Sequence, residues 1–180
     1  MKFAKEMAFY TAYHQEGRNI AIHVVGVPMI SFSVLVVLSW VPLFSISGFT
    51  VTLAMAFTAA VLLYYLYLDI PFGLAATALF GGLLVAAHYV SFMGATVGWS
   101  IFAFAQITGW GTQFYGHFQF EKSRPALFDN LFQALVSAPL FVVADVFFYF
   151  GIRTHLEDQI KEILREQGKL KTFGKEAEAV

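Results

Sequence analysis

Cysteine is absent from this 180-residue chain, which removes disulfides, thiolate metal sites and cysteine nucleophiles at once. Charge is nearly as scarce. The 102 positions from Asn19 to Phe120 carry one charged side chain, Asp69. Charged residues make up 13% of the sequence against 58% hydrophobic and 18% aromatic, and the mean hydropathy is +0.67. A water-soluble domain spreads about 25% charged residues over its surface, so that class is excluded and the bilayer becomes the solvent to reason with. Basic charge is not in excess either. With a net charge of −1 and a pI near 6.5, no electropositive face is left for a nucleic-acid backbone. Any metal or catalytic site must be built from histidine, carboxylate or hydroxyl groups.

What is present is a succession of apolar runs. A spanning helix needs about 20 apolar residues, and four runs qualify, at 20–40, 50–68, 71–90 and 97–117. Uncharged turns with Pro, Ser or Gly occupy 42–48 and 91–96, while Asp69, Ile70 and Pro71 stop one helix and start the next. Connections this short make neighbouring helices antiparallel. Residues 1–19 are polar and amphipathic, without the apolar run and cleavage site of a removable signal peptide, and read as an N-terminal cytoplasmic helix.

A fifth apolar stretch, 130–151, contains Pro139 and Asp145. If it crossed the membrane, Arg153, Lys161, Arg165, Lys169, Lys171 and Lys175 would lie opposite Lys2, Lys5, Arg18, Lys122 and Arg124, against the usual distribution of basic residues. A re-entrant or interfacial helical hairpin, capped by Asp129 or Asn130, instead puts all eleven Lys and Arg on the cytoplasmic side. Residues 153–180 read as a cytoplasmic amphipathic helix and tail, with Ile152, Leu156, Ile160, Ile163 and Leu164 on one stripe and pairs such as Glu157 with Lys161. The expected fold class is an all-α integral membrane protein with one membrane domain over 20–152 and both termini cytoplasmic, in a bacterial inner membrane or the endoplasmic reticulum.

Polar side chains at membrane depth are costly and mark function by default. Here they form two clusters. One holds Tyr10, Tyr13, His14, Asn19 and His23 and ends in Gly26 and Pro28; the other holds Trp110, Gln113, Phe114, Gly116, His117, Glu121 and Lys122 and ends in Arg124, Pro125 and Ala126. Spacing by four stacks Gln113, His117 and Glu121 on one helix face, and Asn19 with His23 on another. His14 and His23 are about half a turn out of phase on a continuous helix, so they converge only if the chain breaks between them, and Gly17 is the expected break. With the N-terminus inside, His23 at the start of the first span and His117 at the returning end of the fourth share one depth, and His14 approaches from the same side. Three imidazoles at one membrane boundary suit iron, zinc, copper or nickel. The alternative is that each merely hydrogen-bonds at an interface.

Other candidates carry less. His88 lies about 25 Å from that boundary at 1.5 Å per residue and is not expected to reach it; His155 reads as an exposed tail residue. Asp69 is a helix-boundary acid, and Asp145 either orients a ligand imidazole or pairs within the hairpin. Glu121 has three readings: a fourth ligand, a base behind the ligands, or an interfacial salt bridge with Lys122 or Arg124. Gly81 and Gly82, with Ala75, Ala76 and Ala78, predict close helix packing.

The stretch Tyr13-His14-Gln15-Glu16-Gly17-Arg18-Asn19-Ile20-Ala21-Ile22-His23, continued by Val24-Val25-Gly26-Val27-Pro28, resembles the pattern of a known family: His, four residues, Asn, three residues, His, two residues, Gly, one residue, Pro. The stretch from Trp110 through Gln113, Gly116, His117, Glu121, Lys122, Arg124, Pro125 and Leu127 is similar to that family's second signature. These are the small membrane proteins typified by the fungal 2-hydroxy fatty acid dioxygenase, an iron(II) enzyme of α-oxidation in phytosphingosine breakdown. Glu16-Gly17 departs from the Asn-Pro-like break of many relatives. The resemblance implies that a long-chain 2-hydroxy fatty acid and O₂ give the acid one carbon shorter plus CO₂. The four electrons released fully reduce O₂, so neither a reductase nor 2-oxoglutarate is required. It further implies Fe²⁺ on His14, His23 and His117, with Asn19 and Gln113 just behind these ligands. Lys122 or Arg124 would steer the substrate carboxylate, and Glu121 or Tyr13 would handle the hydroxyl proton.

Two other functions fit three histidines in a membrane. A zinc-dependent membrane hydrolase would use them with one open water position, and a non-enzymatic haem-binding bundle would use two as axial ligands. Histidine-rich diiron desaturases need more ligands than five His supply, and no internal repeat marks a transporter.

Overall fold

A computed structural model describes residues 2–171; the end of the expected tail, Lys175 included, lies outside the described residues. A short helix, α1 (Lys2–Thr11), precedes the first long one, α2 (Gly17–Leu38). The break between them is made by Glu16, which is extended (φ −84°, ψ 124°) and caps α2 by accepting from the Arg18 and Asn19 amides. Gly17 is therefore the first helical residue rather than the turn itself, but the break falls where His14 and His23 need it.

Residues 42–52, expected as a turn and the start of a span, form a β-hairpin instead. Strands β1 (Pro42–Ile46) and β2 (Phe49–Thr52) pair antiparallel. The linking residues Ser47 and Gly48 both have positive φ, 49° and 84°, the conformation whose twist matches a two-residue hairpin. The alternation that marks a strand was hidden in a block with no charged residue. Helix α3 (Leu53–Leu68) consequently starts at Leu53. Asp69 accepts from the Phe72 amide at 3.0 Å and so caps α4 (Ile70–Ser91), with Pro71 in its first turn; α5 (Ala95–Gly116) follows.

After α5 the chain makes one π turn (His117–Glu121), closed by the Lys122 amide donating to the His117 carbonyl, with Lys122 left-handed at φ 54°. A 3-10 turn (Ala126–Phe128) and a second π turn (Gln133–Ser137) lead into α6 (Ala138–Tyr149). Asn130 accepts from the Gln133 amide at 3.0 Å, the cap expected there. Pro139 sits in the first turn of α6, where no amide hydrogen is needed, so it does not fold the stretch into a hairpin. The bend comes after Tyr149: Gly151 and Arg153 have φ of 71° and 64°, and α7 (Thr154–Glu166) leaves at 115° to the preceding helix.

Helix α2 is central, packed by α5, α4, α6 and α3. Close approach of α5 depends on Gly98, Gly109 and Gly116, where a Cβ would come within 2.5 Å of Trp40, Ile30 and Asn19 respectively. Gly81 and Gly82 play no such part, since a Cβ at either meets nothing within 4 Å among the described residues. Phe3 and Met7 of α1, Phe72 of α4, Phe141 of α6 and Ile160 and Leu164 of α7 close a core at one end of the bundle. There Arg153 pairs with Asp69 at 2.6 Å and covers the Phe72 ring, while Glu157 and Lys161 pair as expected, at 2.6 Å. The opposite end carries the hairpin, and the Trp40 indole donates to the Ser91 carbonyl at 3.0 Å.

Helices α2 and α4, 22 residues each, are long and apolar enough to cross a membrane, reaching about 33 Å. Helix α3 is apolar but has 16 residues, and α5 has the length but interleaves Gln106, Thr108, Thr112 and Gln113. The bent pair of Gln133–Tyr149 and Thr154–Glu166 adds a third candidate if taken as one span.

Candidate metal centre

His14 comes from the loop between α1 and α2, His23 from the second turn of α2, and His117 from the junction of α5 with its π turn. All three are buried, at 4%, 3% and 2% relative exposure. Each contributes a ring nitrogen to a group whose members lie within 4.8 Å of one another. The ring centroids are 4.4, 4.7 and 4.9 Å apart, edge to face. His14 Nδ1 contacts the Tyr10 carbonyl at 2.8 Å and His23 Nδ1 the Asn19 carbonyl at 2.9 Å. A carbonyl only accepts, so both Nδ1 atoms carry the hydrogen and both Nε2 lone pairs are free. The Nδ1 of His117 is buried with no hydrogen-bond partner among the described residues. Burial, with the His23 and His117 rings adding to it, holds His14 well below its ordinary pKa, so its imidazole is neutral and able to ligate.

Such a donor set fits a borderline divalent cation and not the hard cations that take oxygen shells. His88 is remote: its ring packs on Phe92, near the far end of α4. His155 is exposed on α7.

Glu121 holds the loop that carries His14. It is 2% exposed, and its carboxylate accepts from the Gln15 amide at 3.1 Å, the Glu16 amide at 3.0 Å and Asn19 Nδ2 at 3.2 Å. Its ion pair is with Lys171, at 2.8 Å, rather than with Lys122 or Arg124. Helix α7 delivers that lysine. Gly168, at φ 63°, stops the helix, with the Lys169 amide reaching back to the Leu164 carbonyl at 2.8 Å. The chain then crosses Gln15, whose side-chain amide donates to the Lys169 carbonyl and accepts from the Lys171 amide, at 2.9 and 2.8 Å. Nothing in local sequence links Lys171 to Glu121, which is why sequence reasoning missed it.

A cavity adjoins the triad, lined by Tyr10, Trp110, Gln113, Phe114, Pro125, Ala126, Leu127, Gln133, Ala134 and Ala138 together with the three histidines. Of the residues singled out from sequence, Tyr10, Trp110, Gln113, Phe114, Pro125 and Ala126 line it with the histidines, and Asn19 lies behind His23. Lys122 is exposed, and Arg124 pairs with Asp129 at 2.7 Å on the surface. The Tyr13 hydroxyl donates to the same Asp129 at 2.9 Å, and Tyr13 is not among the lining residues. The tyrosine at the triad is Tyr10, whose ring stacks on His14 at 4.0 Å and whose hydroxyl donates to Asp145 at 3.3 Å. Burial, with Asp145 adding to it, raises the Tyr10 pKa well above its usual value. Gln133 is a polar lining residue that periodicity did not single out, because its position depends on a π turn.

A family model described as 2-hydroxy-palmitic acid dioxygenase Mpo1-like matches residues 1–149, a range that includes all three histidines and Glu121. The 2-hydroxy-palmitic acid dioxygenase MPO1 of Saccharomyces cerevisiae is 35% identical over 161 residues, covering 88% of this chain and 87% of the relative. No solved structure matches.

Proposed function

The chain belongs to the Mpo1-like family, and from that membership we propose an iron(II)-dependent dioxygenase that acts on long-chain 2-hydroxy fatty acids. The reaction R–CH(OH)–COOH + O₂ → R–COOH + CO₂ + H₂O balances without a further reductant. The observation that carries this reading is the convergence of His14, His23 and His117, from three separate segments, into one buried group beside a largely apolar cavity. When bound there, iron(II) supplies the redox-active, doubly charged centre that O₂ chemistry and an anionic, chelating substrate require.

The protein's own groups do the rest. Three neutral imidazoles leave the 2+ charge uncompensated, which favours a carboxylate. Carbonyls of Tyr10 and Asn19 fix the tautomers of His14 and His23, and the Tyr10 ring braces His14. Glu121, engaged by the amides of 15 and 16 and by Asn19, positions the His14 loop rather than moving a proton. Trp110, Phe114, Leu127 and Ala134 exclude water and flank the acyl chain. In the membrane, α2 to α5 are four antiparallel spans, and the triad lies at the end that carries Asp69 and Arg153, on the cytoplasmic side.

The test is to purify the protein anaerobically, load iron(II), and assay a long-chain 2-hydroxy acid in air and under argon. Activity in air only, and its loss in His14→Ala, His23→Ala and His117→Ala together with bound iron, is the expected result. Turnover under argon, or by the zinc form alone, would contradict it.

A further inference from the structure

The cavity contains a polar feature that the metal does not use. Gln133 is 3% exposed, and its orientation is fixed chemically: Nε2 donates to both the Glu6 carbonyl and the Glu6 carboxylate, each at 3.0 Å. Those partners only accept, so the other end of the amide is the oxygen. That Oε1 is buried and has no partner among the described residues, and Gln133 lines the cavity beside the triad. The Asn130 cap and the π turn hold its backbone in place. Gln113, which also lines the cavity and is 7% exposed, likewise has a buried Nε2 with no partner among the described residues. The lining therefore offers a fixed acceptor at Gln133 and an unpaired amide nitrogen at Gln113, in a cavity whose surface is largely apolar.

Resting on the function proposed above, we propose that Gln133 is the specificity-determining residue that reads the 2-hydroxyl of the substrate, its Oε1 accepting the hydroxyl hydrogen. A 2-hydroxy acid brings a hydroxyl donor and carboxylate acceptors on adjacent carbons, which matches the Gln133 oxygen and the Gln113 amide nitrogen. A fatty acid without the hydroxyl leaves the Gln133 oxygen buried and unpaired. Sites built to bond a substrate hydroxyl reject the analogue lacking it for this reason.

The experiment measures binding of 2-hydroxypalmitic and palmitic acid to the full chain in nanodiscs, loaded with iron(II) and kept anaerobic so that no turnover occurs. Gln133→Met and Gln133→Leu should each cut the preference for the hydroxy acid by about tenfold or more, with palmitic acid bound at least as tightly as by the unaltered protein. Palmitic acid thus serves as the folding control. Gln113→Met should weaken both acids equally, because the carboxylate is common to them. An unchanged preference in a Gln133 variant that still binds palmitic acid would overturn the inference and make Gln133 an ordinary, water-satisfied core amide. Failure of the unaltered protein to bind 2-hydroxypalmitic acid at all would instead remove the functional reading, and this inference with it.

Discussion

Asn19 holds its side-chain oxygen where a side chain at Gly116 would go: a Cβ on Gly116 would come within 2.5 Å of Asn19 Oδ1. The contact joins α2 to α5 one residue before His117, and Asn19 also bonds His23 through its carbonyl and Glu121 through its amide. Gly116→Ala must push Asn19 away, at about 1–3 kcal/mol for overpacking a filled site. Iron retained after gel filtration should fall with stability. Gly111→Ala, where nothing lies within 4 Å among the described residues, should leave the iron unchanged and lower stability not at all.

The Lys171 ammonium pairs at 2.8 Å with the fully buried Glu121 carboxylate that holds the His14 loop. Lys171→Met should lower iron(II) affinity about 10-fold to 100-fold, the usual effect of losing a group that supports a ligand. Lys171→Arg should retain it. Competition with a chromogenic chelator measures both affinities.

Much of this site was legible in the sequence because its parts are local. The four-residue spacing of Asn19 with His23 predicted one face of a helix, and the out-of-phase His14 required a break that Glu16 provides. Both polar clusters border the long uncharged block, so they meet at one end of an antiparallel bundle. What was not legible depends on long-range contact or on departures from helical period. The partner of Glu121 comes from the end of α7, Tyr10 rather than Tyr13 faces the triad because α1 ends at Thr11, and Gln133 reaches the cavity through a π turn. The β-hairpin was masked for a different reason: its alternation of apolar residues with Ser45, Ser47, Thr50 and Thr52 carries no charge and reads as part of the long apolar block.

Asp69 joins two elements of the bundle, capping α4 and pairing with Arg153. Asp69→Ala should destabilise the protein by about 1–2 kcal/mol, from the lost cap and a partly exposed ion pair, and lower its melting temperature in detergent. Arg153→Met should do less, since the cap survives.

On the proposed function, small residues on the cavity wall set the room for the acyl chain. Ala134→Trp should reduce kcat/KM for a sixteen-carbon 2-hydroxy acid by about tenfold or more, while a short, water-soluble 2-hydroxy acid is spared. Equal loss for both lengths would move the chain to another wall.

In the proposed reaction one O₂ takes all four electrons released when a 2-hydroxy acid loses its carboxyl carbon. The most direct measurement is O₂ consumed against ¹³CO₂ released from carboxyl-labelled 2-hydroxypalmitic acid, by iron(II)-loaded protein with no added reductant. A ratio of one to one, with pentadecanoic acid in equal amount, is expected. Release of CO₂ without O₂ uptake, or O₂ uptake that requires a reductant, would contradict the account.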